Sequence, residues 1–249
     1  MPSFVAAIRS LATYVALSLY VLLIGTPFVL LAIVIRNPTM LYRLGAWGVR
    51  LGLFLSGITV TIEGDDQIQR ERAAVYAVNH ASNVEPPILF NALRDLFPRL
   101  RILYKAELRS LPILTQAFDL GGFVPLERGN PEQSLPAIDR AAQALREGNS
   151  FLIFPEGTRS RTGALLPFKK GGFIMALKAR APVVPVAISG ARNAMRKGSF
   201  VIRPVQITVR FGAPVETTGR DLDDRDTLIA EVRGSVEKML EKIGGPVYR

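Results

Sequence analysis

Val75-Tyr76-Ala77-Val78-Asn79-His80-Ala81-Ser82-Asn83-Val84-Glu85-Pro86-Pro87 is the stretch that decides the fold. Its first four residues are apolar or aromatic and predict a buried strand. Ser82 or Asn83 suits a helix N-cap, and the two prolines suit the first helical turn, where a missing N–H costs little. The stretch therefore predicts a strand that turns directly into a helix.

His80 is the only histidine of the chain, which contains no cysteine. Thiol nucleophiles and thiolate metal sites are thereby excluded, and histidine is the side chain whose unperturbed pKa suits proton transfer near neutral pH. Glu85 follows five residues later, and a strand-to-helix turn would let it accept a hydrogen bond from one imidazole nitrogen. The other nitrogen would then point outward as a base. A lone histidine also fits a structural or surface role, so this stretch alone leaves both interpretations open.

Strand and helix patterns alternate along the sequence after residue 58. Strands are predicted at 60–63, 75–78, 100–104, 122–126, 150–154, 183–188 and 201–211, and helices at 86–96, 113–118, 131–147, 171–180 and 223–243. This alternation predicts an α/β domain at residues 59–249, with a mostly parallel sheet flanked by helices.

Residues 1–58 differ from the rest, because they hold four arginines and no acidic residue. Within them, residues 11–35 form an uncharged run of 25 residues, and about 20 apolar residues can cross a bilayer as a helix. A break expected at Gly25-Thr26-Pro27 favours two helices that dip into one leaflet over one tilted span. Residues 40–58, which include Trp47, predict a helix at the membrane surface, although a soluble helix packed on the core has the same pattern. The segment is therefore predicted to be helical and membrane-associated.

The formal net charge of the chain is +10, from 31 basic and 21 acidic residues. Such an excess indicates a polyanionic partner: nucleic acid, an anionic membrane or a phosphorylated substrate. The apolar segment 1–58 argues against nucleic acid and for a membrane. Arginines beyond both ends of the apolar run indicate that both ends lie on the cytoplasmic side.

Several predicted strands end in charged residues. In open α/β sheets, ligands bind beyond the carboxyl ends of the strands, so these residues are expected to meet. They are His80 with Glu85, then Lys105, then Arg128, then Glu156, Gly157, Thr158 and Arg159, to which Lys169 and Lys170 add two cations. The two arginines suit bidentate phosphate recognition, and the threonine hydroxyl can add a donor. Each arginine also suits a surface ion pair with a neighbouring glutamate, so the pattern alone leaves both interpretations open.

The chain resembles the glycerophospholipid acyltransferases, a family that includes the bacterial 1-acylglycerol-3-phosphate acyltransferases. The blocks that carry the resemblance are residues 79–85, 122–128 (GFVPLER), 154–160 (FPEGTRS) and 184–186, in the order of the family, and residues 105–108 match a further segment. The resemblance covers roughly residues 60–215. Two positions depart from it, because Glu85 stands where many members have aspartate and Pro125 where an aromatic residue is common.

The resemblance implies transfer of a fatty acyl group from acyl-CoA or acyl carrier protein to the sn-2 hydroxyl of lysophosphatidic acid, which gives phosphatidic acid. It implies that His80 is the general base and that Glu85 orients it. Arg128 and residues 156–159 would form the acceptor phosphate site, in which Glu156 orients an arginine and the three lysines assist.

No metal and no cofactor besides the acyl donor is expected. The active site is expected on the cytoplasmic face of the inner (plasma) membrane. Three other acceptors stay open: another lysophospholipid, glycerol-3-phosphate or a glycolipid. The alternative from a different class is a basic, non-catalytic membrane-binding module.

Overall fold

The computed structural model describes residues 2–127 and 131–244, with the side chains of residues 4–127 and 135–244. Within these ranges the strands are Thr59–Glu63 (β1), Val75–Val78 (β2), Leu100–Lys105 (β3), Val124–Leu126 (β4), Ser150–Ile153 (β5), Val183–Ser189 (β6) and Gln206–Phe211 (β7). They form one sheet in the order β1-β7-β6-β2-β5-β3-β4, in which all neighbours are parallel except β6 and β7. The predicted α/β fold with a mostly parallel sheet is confirmed.

Helices cover both faces of this sheet. They are Pro2–Tyr20 (α1), Thr26–Val34 (α2), Pro38–Ser56 (α3), Glu85–Ala92 (α4), Pro112–Leu120 (α5), Pro131–Arg146 (α6), Gly171–Ala179 (α7), Ala191–Ala194 (α8) and Arg225–Lys242 (α9). Alternate side chains of β2 enter two cores, because successive side chains of a strand point to opposite faces. Tyr76 and Val78 pack with α3 and α4, whereas Val75 and Ala77 pack with α6, α7 and α9.

The predicted strand at 201–211 is shorter in the structure and begins at Gln206. Ile202 is bound to the N-terminal helix instead of to a neighbouring strand. Its N–H donates to the hydroxyl of Ser10 at 2.8 Å, and that hydroxyl lies 3.2 Å from the Ile202 carbonyl. The alternating pattern thus predicted a strand here but not which backbone groups were available for pairing.

The apolar run 11–35 does not break at Gly25, so the predicted pair of helices within it is wrong. A π-helical turn, Val21–Gly25, joins α1 to α2 into a continuous rod, and the chain reverses only at residues 35–37. The helix continues through Pro27, and the Val21 carbonyl accepts both the N–H and the hydroxyl of Thr26 in the π-helical turn before it. Phe4–Val34 is 31 residues long and, by length and composition, could cross a membrane.

Small residues let α3 pack closely along this rod. A Cβ added at Gly48 would lie 3.0 Å from the ring of Tyr20, and one at Gly52 would lie 3.3 Å from the side chain of Leu17. The pairing of later residues of α1 with earlier residues of α3 shows that the two helices run antiparallel.

A second face of α3 belongs to the domain core. Tyr42 is buried, its ring stacks on Phe90 of α4 at 5.6 Å, and its hydroxyl donates to the Gly121 carbonyl at 3.2 Å. Trp47 and Phe54 of the same helix are exposed. Packing of this helix on the core, one of the two interpretations of residues 40–58, is therefore observed, and the apolar exposed face is left for another partner.

Candidate active site

The imidazole of His80 and the carboxylate of Glu85 meet directly after β2. Nδ1 of His80 lies 2.6 Å from Oε2 of Glu85, and both carboxylate oxygens also accept the N–H of Ala81, at 3.0 and 2.9 Å. Burial raises the pKa of Glu85, and the hydrogen bond from His80 opposes that rise. Because Nδ1–H donates to the carboxylate, Nε2 carries the lone pair of the ring. The His80 side chain is 16% exposed, so this nitrogen belongs to a largely enclosed group.

Glu156 supports His80 through the backbone. Its Oε1 accepts the His80 N–H at 2.6 Å, and its Oε2 accepts the Leu166 N–H at 3.0 Å. Burial raises the pKa of Glu156 to about 7, against the lowering effect of these two donors. Glu156 and Arg159 form no ion pair in the described parts of the chain, and the two carboxylate oxygens of Glu156 hold backbone N–H groups, so the predicted orientation of Arg159 by Glu156 is not observed. Its predicted alternative partner, Arg128, lies outside the described residues.

Other contacts that sequence reasoning missed fix the same turn. The side-chain amide of Asn79 exchanges two hydrogen bonds with the backbone of Ile188 on β6, at 3.0 and 2.8 Å. The N–H of Ser160 donates to the His80 carbonyl at 2.8 Å, and the ring of Phe154 lies 4.2 Å from the imidazole. Asn79 offered a signal, since a polar residue at the end of an apolar strand needs buried partners. The other two contacts depend on how β5 sits beside β2.

Two lysine side chains, Lys169 and Lys197, contact the loop after β5. Gly157 has φ +68°, and a Cβ there would lie 2.8 Å from Cε of Lys169, so the lysine side chain passes directly over this glycine. Lys197, which sequence reasoning did not single out, donates to the Thr158 hydroxyl at 3.3 Å and to the Arg159 carbonyl at 3.0 Å. The structure thus brings Gly157, Thr158, Arg159 and Lys169 together, as the sequence predicted, and adds Lys197.

Two further predicted cations, Lys105 and Lys170, pair with carboxylates outside this loop. Lys105 ends β3 and pairs with Glu107 at 2.8 Å. Lys170 begins the approach to α7 and lies 3.7 Å from Asp226 of α9. Within the part of the chain that the structure describes, neither ammonium group forms a hydrogen bond or an ion pair with residues 156–159. Arg128, as noted, falls outside it.

An apolar cavity of about 900 Å³ lies between the N-terminal helices and the domain. Its wall includes Val84 and Pro87, which flank Glu85 in the chain, and residues of α1, α2, α3 and α5. The cavity therefore reaches the start of α4, next to Glu85 in the chain. The volume lies within the usual range for small-molecule sites, roughly 300–1,000 Å³.

The fold thus holds a base aligned by a buried carboxylate, a cation-bearing loop after the neighbouring strand and an apolar cavity, a combination that suits the activation of a hydroxyl for attack on a lipid-like group. These features define the class as a transferase that acts on amphipathic substrates. The comparison with known proteins narrows this class.

Residues 59–189 match the acyltransferase family. The 1-acyl-sn-glycerol-3-phosphate acyltransferase of Limnanthes douglasii is 36% identical over 198 residues, which is 77% of this chain and 68% of the relative. A protein of the same name from Borreliella burgdorferi is 26% identical over 195 residues, or 78% of this chain and 77% of the relative. The chain therefore belongs to the acyltransferase family and is an enzyme.

A solved structure shows the same fold. The crystal structure of the 1-acyl-sn-glycerophosphate (LPA) acyltransferase from Thermotoga maritima superimposes with a TM-score of 0.83. The match covers 100% of each chain at 23% sequence identity. The N-terminal helices are thus part of the shared architecture.

Proposed function

We propose that this enzyme transfers a fatty acyl group from an acyl thioester to the sn-2 hydroxyl of lysophosphatidic acid, which gives phosphatidic acid. The observation that carries the proposal is the contact of 2.6 Å between His80 and Glu85, beside a loop that gathers cations. The relatives named 1-acyl-sn-glycerol-3-phosphate acyltransferase support this choice of acceptor.

The proposed reaction needs no covalent intermediate on the protein. Nε2 of His80 takes the proton of the acceptor hydroxyl while the hydroxyl oxygen bonds to the thioester carbonyl carbon. The carbon–sulfur bond then breaks, and the leaving thiolate takes the proton from the imidazolium. Glu85 stabilises that imidazolium while it exists. A base positioned in this way contributes roughly 10²–10⁴ in rate.

The acceptor phosphate is proposed to bind at the loop after β5. Arg159 has no carboxylate within ion-pair distance among the residues whose side chains are described, so its guanidinium is available to an anion. Lys169 covers Gly157, and Lys197 holds Thr158 in place as a hydroxyl donor. Charge-assisted hydrogen bonds to phosphate are stronger than neutral ones, so a few such groups suffice for selective binding. Arg128, Lys105 and Lys170 are proposed to assist.

The acyl chain of a substrate is proposed to occupy the cavity of about 900 Å³. The exposed apolar faces of the rod Phe4–Val34 and of α3 are proposed to associate with a membrane. The site is proposed to lie on the cytoplasmic face of the inner membrane, where acyl-CoA or acyl carrier protein would supply the acyl group. The cavity opens between those helices and the domain, so a lipid chain would enter it from the bilayer.

Product analysis tests the function. Purified enzyme is mixed with labelled acyl-CoA or acyl carrier protein and with lysophosphatidic acid, another lysophospholipid, glycerol-3-phosphate or a glycolipid, and the products are identified by mass spectrometry. Phosphatidic acid is expected as the main product, and none with the His80→Ala variant. Faster acylation of an acceptor without a phosphate monoester would overturn the proposed acceptor.

A further inference from the structure

The loop of residues 196–203 joins the domain to the N-terminal rod. It follows α8 and lies outside the segment that matches the family. The hydroxyl of Tyr14 donates to the Phe200 carbonyl at 2.8 Å. Ser10 is bound to the backbone of Ile202 by the contacts of 2.8 and 3.2 Å described above. The loop therefore stays at a fixed place on α1.

The side chains of this loop are unusual for a protein surface in water. Phe200 is 82% exposed, although it is a large apolar residue. The loop sequence RKGSFVIR holds three cations and no acidic residue. Arg196 and Arg203 are both exposed, and neither guanidinium has a carboxylate partner in the described parts of the chain. An exposed aromatic ring between cations is typical of segments that bind anionic membrane surfaces.

The surface around the loop is also apolar. Leu11 and Val15, which neighbour Tyr14 in α1, are 66% and 51% exposed. Because Tyr14 holds the Phe200 carbonyl, the exposed phenylalanine belongs to a segment that is tethered to this apolar part of the rod. Contiguous apolar patches of this kind mark interaction sites.

We propose that residues 196–203 form a second membrane contact, in which Phe200 enters the headgroup region of an anionic bilayer while Arg196 and Arg203 bind lipid phosphates. The proposal rests on the proposed membrane association of the rod. A bilayer fits better than an acidic protein, because the exposed ring is continuous with an apolar helix long enough to meet a membrane.

This contact would also set the position of the candidate active site. Lys197 of the same loop holds Thr158 and the carbonyl of Arg159. When residues 196–203 contact the membrane, residues 156–159 would lie at the depth of the lipid phosphates. The phosphate of a lysolipid acceptor lies at the same depth. Membrane contact of residues 196–203 would thus position the proposed phosphate site next to the lysolipid acceptor.

Vesicle flotation of the full-length protein tests the proposal. Vesicles of phosphatidylcholine alone are compared with vesicles that also contain phosphatidylglycerol. The double variant Arg196→Gln with Arg203→Gln should lose binding to anionic vesicles only, by about fivefold for each arginine. Phe200→Ser should weaken binding to both kinds of vesicle several-fold. Arg140→Gln, an exposed arginine of α6 on the other face of the sheet, is the matched control and should change nothing.

A depth measurement gives an independent readout. Phe200→Trp is made in a Trp47→Phe background, so that the new indole is the only one, and is exposed to brominated lipids. Quenching of its fluorescence supports the proposal, whereas bound protein with an unquenched indole would overturn it. Unchanged vesicle binding with weakened binding of acyl carrier protein would assign the loop to an acidic protein instead. Wild-type protein that does not float at all would refute the proposed membrane association of the rod. Failure of that association is thereby distinguished from failure of the contact by residues 196–203.

Discussion

The carboxylate of Glu156 accepts the backbone N–H of His80 at 2.6 Å, while Glu85 holds the imidazole of the same residue at the same distance. Two buried glutamates from two neighbouring strand ends therefore fix one histidine, one through its backbone and one through its ring. Glu156 also accepts the Leu166 N–H, so both of its oxygens are used. This double acceptance distinguishes a carboxylate from an amide, which has a single acceptor oxygen.

Glu156→Gln should therefore lower kcat while leaving the KM for the acceptor nearly unchanged. The amide must turn its NH₂ group toward the N–H of either His80 or Leu166, which leaves a buried donor unsatisfied at a cost of about 1–3 kcal/mol. If the unsatisfied donor is the N–H of His80, the imidazole is less well positioned and kcat drops about tenfold to hundredfold. Steady-state kinetics measure both constants, with Glu241→Gln on the exposed face of α9 as the control. A raised acceptor KM with an unchanged kcat would show that Glu156 contacts the substrate.

The contribution of Glu156 to the stability of the protein should fall as the pH rises from about 5 to about 7. The pKa of Glu156 is raised to about 7 by burial, above the value of an exposed glutamate, about 4.3. The folded state then binds more protons than the unfolded state between these values, so this contribution to stability is present at the acid end and lost toward pH 7. Thermal unfolding in detergent measures the effect, which should be weaker in Glu156→Gln. A wild-type unfolding temperature that rises over this range at the same rate as that of the variant would contradict the prediction.

Gly157→Ala should weaken acceptor binding more than it weakens the fold. At φ +68° an alanine is strained by about 1–2 kcal/mol, and its Cβ would displace Lys169 from above the loop. Gly219→Ala is a matched control, because Gly219 has φ +81° and nothing within 4 Å of an added Cβ. Both variants should lose similar stability, but only the Gly157 variant should show a raised KM for lysophosphatidic acid. Equal KM values for lysophosphatidic acid in the two variants would show that Lys169 does not bind the acceptor phosphate.

Arg159→Ala should raise the KM for a phosphorylated acceptor more than the KM for the acyl donor. A charge-assisted bond to phosphate contributes about 1.5–3 kcal/mol, which corresponds to about a tenfold to hundredfold change. Arg140→Ala on α6 serves as the control for the loss of one exposed positive charge. If the acceptor KM of Arg159→Ala equals that of wild type, the assignment of Arg159 to the phosphate site is wrong.

The sequence predicted what depends on neighbours in the chain. The hydrogen bond between His80 and Glu85 joins residues five apart, and the pattern of a strand followed by prolines was enough to place them together. His80, one partner of Glu156, lies 76 residues away, and the partners of Lys197 lie 38–39 residues away, so these contacts depend on the packing of separate elements. The residue types of Glu156 and Lys197 indicated the charges of these side chains but not which groups they would contact.

The N-terminal segment shows a different limit. A proline rule predicted a break at Gly25-Thr26-Pro27, but a π-helical turn lies before the proline and the helix continues. Likewise, apolar spacing in α3 fitted both the core and a membrane surface, and the structure shows one face on the core and another exposed. Such outcomes depend on neighbouring helices, which local patterns do not specify.

The turnover of the His80→Ala variant, measured with a saturating acyl donor and lysophosphatidic acid, tests the central claim most directly. Loss of essentially all activity is predicted, with circular dichroism and vesicle binding unchanged, since His80 lies at a loop and contributes little to the core. Glu85→Gln should retain more activity than His80→Ala, because it keeps one acceptor for Nδ1–H but loses the charge that stabilises the imidazolium. The chain has no other histidine and no cysteine to take over as base or nucleophile. Near wild-type turnover in a correctly folded His80→Ala protein would contradict the mechanism.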